Sequence, residues 1–168
     1  MMEYKTKNMK VLYIHGYQSS PTEAKVNILK EQFDEVFAPL IDWDSNETRP
    51  NLFNDFVELI KREEITHVIG SSMGGQMSFY LATFCNIKGL SFNPAFGYRY
   101  TDLNLSLNTD FTSEILITLG INDNVVPNST SLDFLYKNDI KNKVSIEYLE
   151  MGHQVSTKNF ETQFKKIR

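Results

Sequence analysis

The chain has 168 residues, of which 41% are hydrophobic, and a net charge of −4. This length suits one domain with a substantial core, and we predict a single domain over residues 1–168. The basic residues are spread along the chain, which argues against a nucleic-acid partner. No apolar segment approaches the ~20 residues of a membrane span, and the apolar run after the N-terminus is too short for a signal peptide. We therefore expect a cytoplasmic protein with neither a membrane nor a nucleic-acid partner.

The residue types give little support to metal or cofactor chemistry. Three scattered histidines and one cysteine offer no paired spacing of metal ligands. The glycine-rich segment 70–75 lacks the lysine of a phosphate-binding loop and the G-x-G-x-x-G spacing of a dinucleotide site. We expect a reaction that needs no metal ion and no cofactor.

Short apolar strands alternate with amphipathic helices along the chain. The first strand, 10–14, is continuously apolar, as is typical of strands buried in a parallel sheet. The predicted strands are 10–14, 36–38, 65–69, 87–92, 114–119 and 144–149, and the predicted helices are 24–34, 51–62, 73–84, 129–136 and 155–167. This alternation predicts a compact α/β fold with a mostly parallel sheet of about six strands and helices on both faces.

The segment 69–75, IGSSMGG, contains the pattern G-x-S-x-G with Ser72 at its centre. A β-branched run precedes it and apolar residues at helical spacing follow, which is the strand-turn-helix setting of a nucleophile elbow. Such a turn lifts the Ser72 hydroxyl clear of the sheet and places the Met73 N–H at a helix start, where it can bind an oxyanion. The alternative is a glycine-rich turn with an incidental serine.

A serine nucleophile needs a general base within hydrogen-bond reach. His67 lies inside a predicted strand and His15 ends the first strand, so neither is well placed. His153 follows the last strand, and Gly152 before it permits a tight turn that directs the imidazole towards Ser72. We predict His153 as the base; the alternative is a histidine of a surface loop.

The predicted acid is Asp123, which follows a strand and precedes a helix. This gives the chain order Ser-Asp-His that α/β-hydrolases use. Asp123 could instead only close an Asx turn, and Asp102 or Asp110 is the next candidate for the acid. Glu150 is a poorer candidate because it lies so close to His153 in the chain.

A second oxyanion donor is expected from the turn after the first strand, residues 15–18. In this fold a backbone N–H from such a loop lies beside the elbow. Tyr17 is the preferred donor and Gln18 the alternative.

Several short motifs occur together along nearly the whole chain. They are LYIHGY at 12–17, SSP at 19–21, Lys25, GSSMGG at 70–75, NPA at 93–95, Gly120 with Asp123, and Gly152 with His153. In this combination the chain resembles the YqiA-type small esterase family of the α/β-hydrolase superfamily. The resemblance implies a serine esterase whose compact sheet lacks the first strands of the full hydrolase fold. It also implies Ser72, Asp123 and His153 as nucleophile, acid and base.

The chain departs from this family at Tyr17, where Phe is commoner, at Met73, where Leu is commoner, and at Gln154, where an aromatic residue is commoner. These positions border the expected acyl pocket, so the resemblance does not fix the substrate preference. Gln18, Phe96 and Gln154 are the candidate substrate contacts.

The segment 96–113 is the one long connection between strand ends, and it is too short for a large lid. The alternation of Phe96, Tyr98 and Tyr100 fits either a small flap over the pocket or an edge strand packed on the sheet. Trp43 could border the site, but a place in the core is favoured for a lone tryptophan.

These patterns predict a serine hydrolase that cleaves small or short-chain acyl esters through an acyl-enzyme on Ser72. The expected partner is a small-molecule acyl ester. An acyl thioesterase would use the same steps. A catalytically silent, hydrolase-like protein that binds a small ligand is the alternative from another class.

Overall fold

Six strands and five helices alternate in the computed structural model, which describes residues 8–98 and 101–167. The strands are β1 (Lys10–Ile14), β2 (Glu35–Phe37), β3 (His67–Ser71), β4 (Lys88–Phe92), β5 (Ile115–Gly120) and β6 (Ser145–Leu149). The helices are α1 (Glu23–Lys30), α2 (Arg49–Glu63), α3 (Met73–Cys85), α4 (Asn128–Lys137) and α5 (Thr157–Phe164). Within these two ranges, no helix combines the length and apolar character needed to cross a membrane.

All six strands pair in parallel in one sheet of order β2-β1-β3-β4-β5-β6. The strand order reverses between β1 and β3, because β2 lies outside β1 and the later strands extend on the other side. Open parallel sheets bind ligands at the carboxyl edge of such a reversal, where the loops diverge. The fold predicted from the sequence is confirmed, and its geometry directs attention to the loops that follow β1 and β3.

The side chains of β1 alternate between two hydrophobic clusters. Val11 and Tyr13 belong to one cluster, whereas Leu12 and Ile14 belong to the other. Helices α1 and α5 supply the first cluster, and α2, α3 and α4 supply the second. The helices therefore cover both faces of the sheet, as predicted, and this explains why residues 11–14 of β1 are all apolar.

The third strand begins two residues later than predicted. Glu64 ends α2 in the left-handed conformation, with φ 54° and ψ 44°, and the Ile65 N–H donates to the Ile60 carbonyl 3.0 Å away. This closing turn occupies the β-branched residues that were assigned to the strand. Strand β3 therefore runs from His67 up to Ser71, directly into the elbow.

The described part of the connection between β4 and β5 does not form an edge strand. In its described part, 96–98 and 101–113, it contains one 3₁₀ turn at Thr101–Leu103 and no strand. Leu103 and Phe111 insert into the core beside α2 and α3, which holds the segment against the helices. Tyr100, part of the predicted alternation, lies outside the described residues. No large lid is present in the described part of this connection, in agreement with the prediction.

The loop between β2 and α2 contributes to the core through Trp43, which is buried as favoured from the sequence. The Arg49 guanidinium donates to the Trp43 carbonyl at 2.9 Å and pairs with Asp102 at 3.1 Å. The Trp43 ring and the His15 imidazole also pack edge to face, with centroids 6.4 Å apart. The loop is therefore tied to the turn that follows β1.

Candidate active site

Ser72 connects β3 to α3 in a conformation that serine rarely adopts, with φ 56° and ψ −118°. Its N–H donates to the Phe92 carbonyl at 2.9 Å. Its carbonyl accepts from the Gln76 N–H at 2.9 Å and the Ala95 N–H at 3.0 Å. Three backbone bonds therefore hold the strained residue in place, as expected of a nucleophile elbow.

The glycines around Ser72 let the helix lie directly on the sheet. A Cβ at Gly70 would collide with the Gly74 carbonyl, and a Cβ at Gly74 would collide with the Ile14 carbonyl. Both positions require glycine, because another backbone segment lies where a Cβ atom would be.

His153 lies between the serine and a carboxylate. Its Nε2 is 3.0 Å from Ser72 Oγ and its Nδ1 is 2.8 Å from Asp123 Oδ2. The Asp123 side chain is 0% exposed and that of His153 is 16% exposed. With Asp123 ionised, Nδ1–H donates to the carboxylate, and Nε2 is left to accept the Ser72 hydroxyl proton. The three residues predicted as base, acid and nucleophile are thus hydrogen-bonded in series.

Asp123 also closes the Asx turn that was considered as its alternative role. Its Oδ1 accepts the N–H groups of Val125 and Val126, each at 2.9 Å. One carboxylate oxygen therefore fixes the loop while the other meets His153. The turn and the contact with the base are two functions of one side chain.

The other candidate acids lie elsewhere. Asp102 pairs with Arg49 at 3.1 Å, beside α2. Asp110 and Glu150 are exposed. Asp123 is the one of the four that contacts His153.

Gly152 is not required by the turn that carries His153. Its φ lies outside the left-handed region that favours glycine, and a Cβ there would come no closer than 3.8 Å to the Asn122 carbonyl oxygen. The turn that carries His153 therefore does not depend on the conformational freedom of glycine at this position.

The turn after β1 lies against the elbow. A Cβ at Gly16 would be 3.2 Å from Ser72 Cβ. His15 shapes this turn: its Nδ1–H donates to the Gly16 carbonyl at 2.8 Å, and its Nε2 accepts the Ile41 N–H at 2.8 Å. Burial lowers the pKa of His15, although the bond to Gly16 opposes the shift. A neutral imidazole with its proton on Nδ1 satisfies both bonds.

The predicted oxyanion donors gather beside Ser72. Met73 is the first residue of α3, a position whose N–H has no acceptor within the helix. Tyr17 and Gln18 follow Gly16 and line the same cavity as Met73. The structure therefore places both alternatives for the second donor next to the elbow.

A cavity of about 350 Å³ opens at Ser72 and His153. Its other lining residues are Tyr17, Gln18, Met73, Ala95, Tyr98, Val125, Val126 and Gln154. Two of the three predicted substrate contacts, Gln18 and Gln154, are among them. The sequence reasoning missed the two valines, although their position directly after Asp123 is a signal that could have identified them.

Phe96, the third predicted contact, does not line this cavity. Its side chain is 2% exposed, and its ring stacks on Phe134 of α4 with centroids 4.0 Å apart. Tyr98, two residues later, reaches the cavity instead. The Phe96 ring therefore lies in the core, where it contacts Phe79 of α3 as well as Phe134 of α4.

A larger cavity, of about 780 Å³, lies at the opposite, amino edge of the sheet. His67, Lys88 and Glu114 are among the residues that line it, and none of the Ser-His-Asp series is. Among the described residues, no group of three or more His, Cys, Asp or Glu side chains is arranged to hold a metal ion. The smaller cavity is the candidate active site, because oriented reactive groups meet there.

The family comparison agrees with the motifs. A model described as Uncharacterised protein family (UPF0227) matches residues 10–114. Comparison with the curated proteins finds no match.

Solved structures share the fold over nearly the whole chain. A protein assigned to the α/β superfamily of hydrolases, from Xanthomonas campestris pv. campestris, is 14% identical with a TM-score of 0.64, covering 94% of this chain and 99% of its own. A Pyrococcus furiosus esterase, PF2001, is 16% identical with a TM-score of 0.70, covering 95% and 80%. Esterase PE8 is 16% identical with a TM-score of 0.66, covering 96% and 93%. At these identities the likeness shows the fold alone: the chain has the α/β-hydrolase fold.

Proposed function

We propose that this chain, which belongs to the UPF0227 family, the YqiA-like family that its motifs resemble, is a serine hydrolase of small or short-chain carboxylic esters. The observation that carries the proposal is the hydrogen-bonded series from Ser72 Oγ through His153 to the buried Asp123 carboxylate, at 3.0 and 2.8 Å. A hydroxyl becomes a useful nucleophile when a base held in this way can remove its proton.

In the proposed mechanism, Ser72 Oγ attacks the ester carbonyl carbon while its proton passes to His153 Nε2. Asp123 keeps the imidazole proton on Nδ1 and stabilises the imidazolium that forms. The N–H of Met73 and that of Tyr17, or of Gln18, stabilise the oxyanion, each such donor contributing about 3 kcal/mol in comparable sites.

The tetrahedral intermediate collapses when the C–O bond to the alcohol breaks and His153 returns the proton to the leaving oxygen. The product of this half-reaction is an acyl-Ser72 ester. A water molecule then gives its proton to His153 and attacks the acyl carbon, which releases the acid and restores the Ser72 hydroxyl.

The cavity supports a small, uncharged substrate. Its lining includes no Asp, Glu, Lys or Arg, and it includes the apolar side chains of Ala95, Val125 and Val126. Two of the structural neighbours are named esterases, which agrees with an ester as the substrate.

The proposal is tested by assaying purified protein against p-nitrophenyl esters with acyl chains from acetyl to octanoyl. The wild type should hydrolyse the shorter esters, and Ser72→Ala should lower kcat by at least about 10⁴-fold. Ser71→Ala is the matched control, since the neighbouring serine has no role in the mechanism and should retain the rate. A folded wild type that binds these esters without turnover would overturn the proposal in favour of a ligand-binding protein.

A further inference from the structure

The turn that follows β4, residues 93–95, contacts the three segments that carry Ser72, Asp123 and His153. The Ala95 N–H donates to the Ser72 carbonyl at 3.0 Å. The side chain of Asn93, which is 1% exposed, is directed to the segments that carry Asp123 and His153. Asn93, the first residue of the motif NPA at this turn, has no role in the mechanism described above.

The Asn93 amide makes three hydrogen bonds. Its Oδ1 accepts the Gly120 N–H at 2.7 Å. Its Nδ2 donates to the carbonyls of Gly152 at 3.2 Å and His153 at 3.1 Å. One buried side chain therefore joins the end of β5, three residues before Asp123, to the backbone of the base itself.

The backbone of Asn93 is adapted to this position. Its φ is 42°, in the left-handed region that Asn tolerates better than most residues, and its N–H donates to the Thr118 carbonyl at 2.9 Å. The hydrogen-bond ladder between β4 and β5 therefore continues to Asn93. This bond fixes the Asn93 backbone at the end of the sheet.

Segment 149–156 carries His153 and segment 121–127 carries Asp123. The backbone bonds that link these described segments lie before Gly152. Ile121 N–H donates to the Leu149 carbonyl at 2.9 Å, and Asn122 N–H donates to the Met151 carbonyl at 3.1 Å. The carbonyls of Gly152 and His153 are bound by Asn93 instead. The Asn93 amide therefore holds the backbone of this segment as far as His153 itself.

We propose that Asn93 is a positioning residue, which holds the His153 backbone so that its imidazole meets Ser72 Oγ and the Asp123 carboxylate together. The inference rests on the proposed function, because it assigns Asn93 a role in the same reaction. A displacement of about 1 Å at such a site can lower the rate about 100-fold, and this is the size of effect we expect.

Two substitutions separate the amide bonds from the backbone conformation. Asn93→Gly keeps the positive φ and removes all three bonds. Asn93→Asp keeps the shape and the acceptor for Gly120 but places an oxygen against two carbonyls. Each should lower kcat per active site about 100-fold, with KM changed no more than about threefold, because the substrate cavity does not include Asn93.

Asn86 offers a matched control at the other edge of the sheet. It also has a positive φ, 53°, and its Oδ1 accepts the N–H groups of Thr112 at 2.8 Å and Ser113 at 3.0 Å. Asn86→Gly, which keeps a positive φ at an exposed helix end, should leave kcat per active site unchanged.

Active sites of each variant are counted by titration with a fluorophosphonate, and the rate of Ser72 labelling is recorded. Ester hydrolysis then gives KM and the kcat per titrated site. Slower labelling and a lower kcat per site in both Asn93 variants, with Asn86→Gly unaffected, would support the positioning role. Fewer competent sites with a normal rate at each would overturn it, since Asn93 would then act on folding alone. Labelling does not require ester turnover: a wild type that labels without hydrolysing esters refutes the proposed function while still testing Asn93.

Discussion

The two edges of the sheet differ in a way that separates a reactive site from a mere cavity. The amino edge has the larger cavity, about 780 Å³, where Lys88 and Glu114 form an exposed pair 3.6 Å apart. The carboxyl edge has the smaller one, about 350 Å³, where Ser72, His153 and Asp123 form a hydrogen-bonded series. Cavity volume therefore does not identify the active site, whereas hydrogen-bonded polar side chains with fixed orientations do.

Positive φ values occur at both edges, with different consequences. Glu64 and Asn86 have φ values of 54° and 53° with ψ values of 44° and 49°, which is the left-handed conformation that ends helices. Ser72 has nearly the same φ, 56°, but a ψ of −118°, outside that region. The amino edge uses ordinary helix ends, whereas the carboxyl edge contains a strained residue that surrounding bonds must hold.

The largest difference between the edges should appear with Asp123→Asn. In the variant the amide oxygen still accepts from Val125 and Val126, so its N–H2 group faces His153 and donates to Nδ1. This holds the imidazole in the tautomer that cannot accept the Ser72 proton, and kcat should fall about 10⁴-fold. Glu114→Gln, an equal change of charge at the amino edge, should leave kcat unchanged. Steady-state ester hydrolysis measures both, and equal rates for the two variants would contradict the account.

Gly74→Ala should destabilise the fold at the carboxyl edge. The added methyl group collides with the Ile14 carbonyl, and overpacking of this kind costs about 1–3 kcal/mol or more in free energy of unfolding. Gly152→Ala is the matched control: the nearest atom is 3.8 Å away, and we expect a change within about 0.5 kcal/mol. Urea unfolding of the two variants checks the difference, and equal losses would refute the backbone packing described for the elbow.

The pH dependence of stability should reveal the buried His15. Because burial lowers its pKa in the folded state, the unfolded chain binds a proton more readily. The stability that neutral His15 contributes is therefore present above its ordinary pKa of 6.5 and is lost as the pH falls below that value.

His15→Gln should accordingly show a smaller loss of unfolding free energy than the wild type between pH 7 and pH 5. Urea titrations at these two pH values measure the loss. Identical losses in the two proteins would show that His15 does not remain neutral in the fold.

The smallest effect should follow Lys88→Ala at the amino edge. Its partner Glu114 is 3.6 Å away and both side chains are exposed, so the pair should contribute less than about 1 kcal/mol to stability. Ester hydrolysis should not change. A loss of activity in this variant would show that the larger cavity takes part in the reaction.

Local patterns were sufficient to predict the elbow and the six strands, apart from the start of β3. Asp123 was predicted to orient His153 from the place of each residue after a strand and from the Ser-Asp-His order of the fold. Each depends on features visible within a few residues: a continuous apolar strand, glycines around a serine, or a polar residue just after a strand. The fold then brings them together, because the carboxyl ends of parallel strands share one edge.

Contacts between distant segments explain what the sequence did not reveal. Phe96 was expected to touch the substrate, but its ring stacks on Phe134, 38 positions further along the chain. The bonds from Asn93 to Gly152 and His153 span 59 and 60 positions. No local periodicity encodes such partners. Asn tolerates positive φ better than most residues, but an Asn in the sequence does not by itself predict that conformation.

The most direct test of the central claim is to expose the folded protein to a fluorophosphonate probe and locate the adduct by intact mass and peptide mapping. Wild type, Ser72→Ala and His153→Ala are compared. The account predicts a single adduct on Ser72, absent from the first variant and formed much more slowly in the second. An adduct on another residue, or none on the folded wild type, would contradict the assignment of an activated serine at the elbow.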